Sequence, residues 1–278
     1  MTDFDQMPPI HPAPARGAGR HLRARQRLRR GIYVLPSLFT LGNVFLGFVA
    51  VIEGLDGHFI RAALLIFSAG LLDALDGRIA RLTGTESEFG MAFDSLADVL
   101  TFGSAPALLA YLWGLGELGR MGWLTPLFFL VCTTTRLARF NVQKKSVDSR
   151  FFIGLPAPAG GASIVSLLIV LPHANAPALP FQALLAGALF VVGALMVSTF
   201  RYPSFKNLDL RKRRSFRLLI PLTVVLILAA DHPEAFCVSL AVLYTCYGPG
   251  SWLAGRVRAR WRLSAERSRR KHQTPNPP

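Results

Sequence analysis

Eight apolar runs, most close to the length that crosses a lipid bilayer, limit what this chain can fold into more than any other feature. They lie at about 36–54, 59–75, 92–113, 121–138, 157–175, 180–200, 217–231 and 235–253. A hydrocarbon core is spanned by about 20 residues of helix. Eight such runs in 278 residues argue against a soluble helical core. Composition agrees, with 51% apolar and 17% charged residues, against about 25% charged in soluble domains. The expected fold is all-α, a polytopic membrane bundle of about eight transmembrane helices. The seventh run is short, and Gly248-Pro249-Gly250 interrupts the eighth.

Basic residues set the orientation. Segments 1–35, 76–91, 136–152, 201–217 and 254–278 hold 29 of the 31 Lys and Arg, leaving Arg61 and Arg120 for the other side. Cytoplasmic loops collect Lys and Arg, so both termini are expected in the cytoplasm. The net charge of +15 then lies along the inner membrane face and is no nucleic-acid footprint. The tail GRVRARWRLSAERSRRKHQ reads as a solvated basic tail or as a binder of acidic lipid, where each basic residue adds about 1 kcal/mol. The first run is too long for a cleaved signal and is followed by further spans, so it reads as an uncleaved helix. Cys132, Cys237 and Cys246 form no CxxC pair, and the six histidines are scattered, which gives neither a disulfide framework nor a zinc site. The chain divides into a disordered basic tail (1–34), a membrane core (35–210), additional helices (211–254) and a basic cytoplasmic tail (255–278).

Between the second and third runs stands DALDGRIARLTGTESEFGMAFDSLAD, residues 73–98. On a helix, residues three, four, seven and eight apart share a face. Asp73, Asp76, Gly77, Ala80 and Arg81 satisfy that spacing at the end of the second run, and Gly90, Asp94 and Asp98 at the start of the third. Two antiparallel helices joined by a short cytoplasmic loop can turn these stripes towards each other. Two charges about 6 Å apart repel by roughly 3 kcal/mol at an effective dielectric of 20, so four carboxylates need protons or cations. Oxygen ligands without His or Cys favour magnesium, manganese or calcium. Four carboxylates suffice for two divalent ions about 3.5–4 Å apart, the arrangement that clamps attacking and leaving oxygens in phosphoryl transfer. Gly77 and Ala80 clear the helix face for a bulky ligand, and Arg81 can fork onto phosphate oxygens. Intramembrane acids also line ion paths, so a divalent-ion transporter is the reading from another class. It requires polar residues carried on through several spans, whereas spans five to eight hold no acid before Asp231.

The same stretch matches the signature DxxDGxxARx8GxxxDxxxD at all eight fixed positions, and on it the chain resembles the CDP-alcohol phosphotransferase family. FTLGNVFLGF (39–48), DSLADVLTFGSAPALL (94–109), RLARFN (136–141), FIGLPAP (152–158) and MVSTFRYPSFK (196–206) look like bacterial phosphatidylserine synthases. The likeness covers roughly 35–210. Ser37, Thr101 and Ala157 depart from the pattern at positions that bear on nucleotide or acceptor contacts. The resemblance implies transfer of a phosphatidyl group from CDP-diacylglycerol to L-serine with release of CMP, at the cytoplasmic face of the bacterial inner membrane. It implies two divalent cations, Mg2+ or Mn2+, held by Asp73, Asp76, Asp94 and Asp98. It implies a CDP side lined by Asp76, Gly77, Ala80, Arg81 and Gly90, and a homodimer among membrane lipids. Asp98 is either the catalytic base for the serine hydroxyl or only a metal ligand. Arg136 and Arg139, three apart at the end of the fourth run, either bind the acceptor carboxylate or anchor the span. Another acceptor, such as glycerol 3-phosphate, choline or an inositol phosphate, is the alternative within the class.

Overall fold

The computed structural model describes residues 38–83, 87–143, 151–171, 178–203, 236–251 and 256; the side chains at 80–83, 143, 151–153, 201 and 203 lie outside that description. The described chain is helical apart from one three-residue ribbon. In order come α1 (Leu38–Leu55), α2 (Phe59–Thr83), α3 (Glu88–Trp113), a 3-10 turn (Leu115–Leu118) and α4 (Arg120–Gln143). After them come β1 (Phe151–Ile153), α5 (Ala157–Val170), α6 (Leu179–Val197), β2 (Arg201–Pro203) and α7 (236–251). Among the described residues, three helices are long and apolar enough to cross a membrane: α1, α3 and α6. The run at 217–231, the N-terminal basic tail and, apart from residue 256, the C-terminal one fall outside the described residues.

α1 turns its small and polar side towards the rest of the bundle. On α1 the buried stripe is Thr40, Asn43, Gly47, Ala50 and Gly54, while Leu38, Leu41, Phe45, Phe48, Ile52 and Leu55 are exposed. The spacing of three and four is that of a single helix face, but small and polar residues occupy the inner side. In lipid the tails are as apolar as leucine, so helices associate by close backbone approach rather than by burying bulk. Accordingly, a methyl group added at Gly47 would press on Thr101 of α3, its Cα 3.1 Å away. Leucines and phenylalanines left on the outside would be a liability in water and suit a lipid surrounding.

α4 packs most extensively on α6, with Phe128 stacked on Phe190 at 4.7 Å between centroids. The small-residue segment PAPAGGAS (156–163), which leads into α5, packs closely on its neighbours. Gly160 lies against Met196 and Val192 of α6, and Gly161 against the backbone of Phe102, whose oxygen would stand 2.9 Å from a Cβ added there. Just before it, Gly154 adopts φ +79°, a left-handed conformation open to glycine. That turn lets its N–H reach Phe200 O at 2.8 Å and leads the ribbon into α5. The ribbon itself pairs β1 with β2 antiparallel, Phe152 opposite Tyr202.

Two features depart from the sequence expectation. α3 is π-helical over Val99–Ser104, immediately after Asp98. And α7 continues through Gly248-Pro249-Gly250 rather than breaking there. Proline at 249 removes the N–H that would bond Thr245 O four residues back. Tyr202, fully buried, donates its hydroxyl to that same oxygen at 3.1 Å. Gly248 leaves room for the ring, since any Cβ there would run into it. A borrowed donor therefore keeps the helix whole.

Candidate active site

Asp73 and Asp76 sit where α2 leaves its apolar half; Asp94 and Asp98 sit in the opening turns of α3. Ser87 caps α3, its Oγ accepting from Gly90 N at 3.0 Å, and so fixes where the acid stripe begins. Carboxylate oxygens of Asp73, Asp76 and Asp94 all lie within 4.8 Å of one another. Asp76 is buried and accepts from Thr40 Oγ1 of α1 at 3.3 Å. Asp98, one turn further into the bundle, is buried with Oδ1 lacking a hydrogen-bond partner among the described residues. It feels the charges of Asp73, Asp94, Asp76 and Arg136.

Arg136 reaches this group from α4. It is 7% exposed, stands in the field of Asp98 and Asp73, and holds its guanidinium 5.7 Å from the centroid of Phe140. One cation cannot balance four acids. At about 5 Å each pair of carboxylates repels by about 3 kcal/mol at an effective dielectric of 20. Oxygen donors gathered at this distance, with no His or Cys among them, fit a hard divalent cation. The cluster could therefore hold metal.

Gly77 lies beside Asp76 on α2, and a Cβ there would meet nothing within 4 Å, so this face of the helix is open. Ala80 and Arg81 continue the helix, but their side chains lie outside the described residues. Gly90 is engaged in the cap of α3. Arg139 turns away from the acids: Nη2 donates to Val197 O at 2.6 Å and Nη1 to Ser198 O at 3.4 Å, closing the end of α6. Of the two arginines, Arg136 is the one brought to the carboxylates.

Three neighbours of the site were not singled out from the sequence. Thr40 and Asn43 of α1 share the buried stripe that faces α2 and α3, and Thr101 Oγ1 donates to Asn43 O at 3.2 Å. Their signal was polar residues three apart inside an apolar run. Tyr244 of α7 lies in the field of Arg136, its ring 5.6 Å from that of Tyr202. No local pattern marks it.

Comparison with known proteins places these residues in context. A family model described as CDP-alcohol phosphatidyltransferase matches residues 33–200. The chain is 37% identical over 223 residues to the CDP-diacylglycerol–serine O-phosphatidyltransferase of Helicobacter pylori strain ATCC 700392 / 26695, covering 80% of this chain and 92% of that protein. It is 35% identical to the protein of that name in Bacillus subtilis strain 168, over 62% of this chain and 92% of the relative. A third, from Methanocaldococcus jannaschii, is 29% identical over 81% of this chain and 98% of its own length.

Proposed function

This chain belongs to the CDP-alcohol phosphatidyltransferase family, and on that footing we propose that it transfers the phosphatidyl group of CDP-diacylglycerol to L-serine, giving phosphatidylserine and CMP. The observation that carries the reading is the gathering of the motif's carboxylates, with Asp73, Asp76 and Asp94 inside 4.8 Å, in a chain so similar to enzymes of that name. Asp73, Asp76, Asp94 and Asp98 would hold two divalent cations, Mg2+ or Mn2+. Those ions, when bound, neutralise the pyrophosphate and the departing CMP.

The chain's own residues do the rest. The open face at Gly77, with Ala80, Arg81 and Gly90 nearby, receives the CDP moiety while the diacylglycerol stays in lipid. Arg136, a buried fixed cation, holds the serine carboxylate; Arg139 secures the helix end behind it. Asp98 takes the proton from the serine hydroxyl as its oxygen bonds to the phosphorus bearing diacylglycerol. The bond from that phosphorus to the CMP oxygen breaks, and CMP leaves. A carboxylate within hydrogen-bond reach is the ordinary aid for so weak a nucleophile at neutral pH.

The surrounding architecture is proposed as eight spans with both termini in the cytoplasm, in the inner membrane of a bacterium. The acids then open to the cytoplasmic side, and two copies associate as a homodimer. Residues 35–210 form the transferase core, followed by the helices of 211–254, with basic tails at 1–34 and 255–278. The test is CMP release by the purified protein from CDP-diacylglycerol with Mg2+ or Mn2+, with serine, glycerol 3-phosphate, choline and an inositol phosphate offered separately. Release with serine alone, lost on chelation and in Asp94→Asn, is expected. Release with another acceptor would overturn serine as substrate, and none with any acceptor would overturn the transferase reading.

A further inference from the structure

Asn43 is fully buried, and both atoms of its side-chain amide, Nδ2 and Oδ1, lack a hydrogen-bond partner among the described residues. A dry, unpaired amide is a costly thing to keep in a bundle; buried polar groups without partners ask for a ligand or an ordered water. Its position narrows the choice. Thr40, one turn earlier on the same face, is bonded to Asp76. The carbonyl of Asn43 accepts from Thr101, three residues after Asp98 on α3. The amide is thus wedged between α1 and α3, a turn deeper than the acid cluster. Two more buried atoms without a partner among the described residues belong to the neighbouring acid site: Asp98 Oδ1, three residues before Thr101 on α3, and Arg136 Nε, in the field of Asp98.

The unmet groups are an amide oxygen, an amide N–H2, a carboxylate oxygen and a guanidinium N–H. They complement a small zwitterion bearing a hydroxyl. Arg136 suits its carboxylate and Asp98 its hydroxyl, which leaves an ammonium in search of an acceptor. We infer that Asn43 is a specificity residue of the acceptor pocket, its Oδ1 receiving the α-ammonium of serine. This rests on the serine reading above and deepens it. A glycerol or inositol phosphate carries no ammonium, and a quaternary choline has no N–H to give.

The experiment compares wild type, Asn43→Ala and the smaller polar Asn43→Ser in the CMP-release assay, with unfolding temperatures read in the same detergent. Serine-dependent release by wild type comes first; without it, the serine reading falls and this inference with it. Given that release, Asn43→Ala should raise the KM for serine at least tenfold and leave the KM for CDP-diacylglycerol within twofold. Inhibition by 3-hydroxypropionate, which is serine without its ammonium, should be alike in wild type and variant. Without serine the variant should unfold no earlier than wild type, because no bond within the protein has been removed, whereas stabilisation by added serine should be lost. Unchanged serine KM, equal rises for both substrates, or earlier unfolding with unchanged KM would each overturn the assignment and leave the serine reading standing. If Asn43→Ala does not fold, Asn43→Ser is read by the same criteria.

Discussion

Tyr202 offers a sharp quantitative test. Its hydroxyl serves Thr245 O at 3.1 Å, the carbonyl that Pro249 cannot serve. Removing an ordinary hydrogen bond costs about 1 kcal/mol, but stranding a buried acceptor costs its desolvation as well, about 1–3 kcal/mol. Tyr202→Phe should sit in that upper range, since the ring's space is unchanged and no helical N–H stands by. In a Pro249→Ala background the helix regains its own donor to Thr245 O, and the same Tyr202→Phe change should cost only a few tenths of a kcal/mol. The coupling across the double-mutant cycle is then about 1–2 kcal/mol, well within what contacting residues show. Unfolding of the four proteins in one detergent, followed by circular dichroism, reads it. Equal costs in both backgrounds would refute the compensation argument. A second signature is alkaline. Burial pushes the Tyr202 phenol up to about 12, against about 10 for a free tyrosine. Its contribution is full below about pH 10 and is lost as pH climbs through about 12; the Phe variant lacks that component.

Other expectations concern the site and its supports. Asp94→Asn should cut serine-dependent CMP release by about a thousandfold or more, because metal charge supplies several kcal/mol of transition-state stabilisation at about 1.4 kcal/mol per decade. Bound Mn2+, counted by electron paramagnetic resonance, should fall in parallel. Arg136→Gln should raise the serine KM, whereas Arg139→Gln should mainly lower the unfolding temperature, its charge-assisted bonds to the end of α6 being worth about 1.5–3 kcal/mol. Comparable KM effects would return Arg139 to the pocket. Gly161→Ala should cost about 1–3 kcal/mol by overpacking against Phe102 O, 2.9 Å from the new methyl. A neutral result would mean that α5 can shift.

Much of the site was legible because it is local. The motif fixes residue types at helical spacings on two neighbouring helices, and a short loop leaves those helices little choice but to face each other. The arginines were less legible for a geometric reason. Residues three apart differ by about 60° around a helix, and long side chains widen that difference, so Arg136 turns to the acids while Arg139 turns to α6. Asn43 was hidden by its surroundings, since one amide hardly alters the hydropathy of an apolar run. Tyr244 depends on contact between distant parts of the chain. The continuity of α7 depends on a phenol from β2, which no local reading of Gly248-Pro249-Gly250 could supply.

The π-helical stretch of α3, Val99–Ser104, makes insertion into the membrane and catalysis separable properties of one helix. Its turn closes on the residue five back instead of four, so a deletion inside it is absorbed by tightening to ordinary winding, with the acids still in place. The same deletion in the regular winding of Ala105–Trp113 has no such slack: the hydropathy of the span would scarcely change, but everything on its inner side would rotate by roughly 100°. Asp94 and Asp98 would swing out of line with Asp73 and Asp76 while the outer half kept its neighbours. Such a chain would enter the bilayer, pack, and have nothing with which to hold a phosphate.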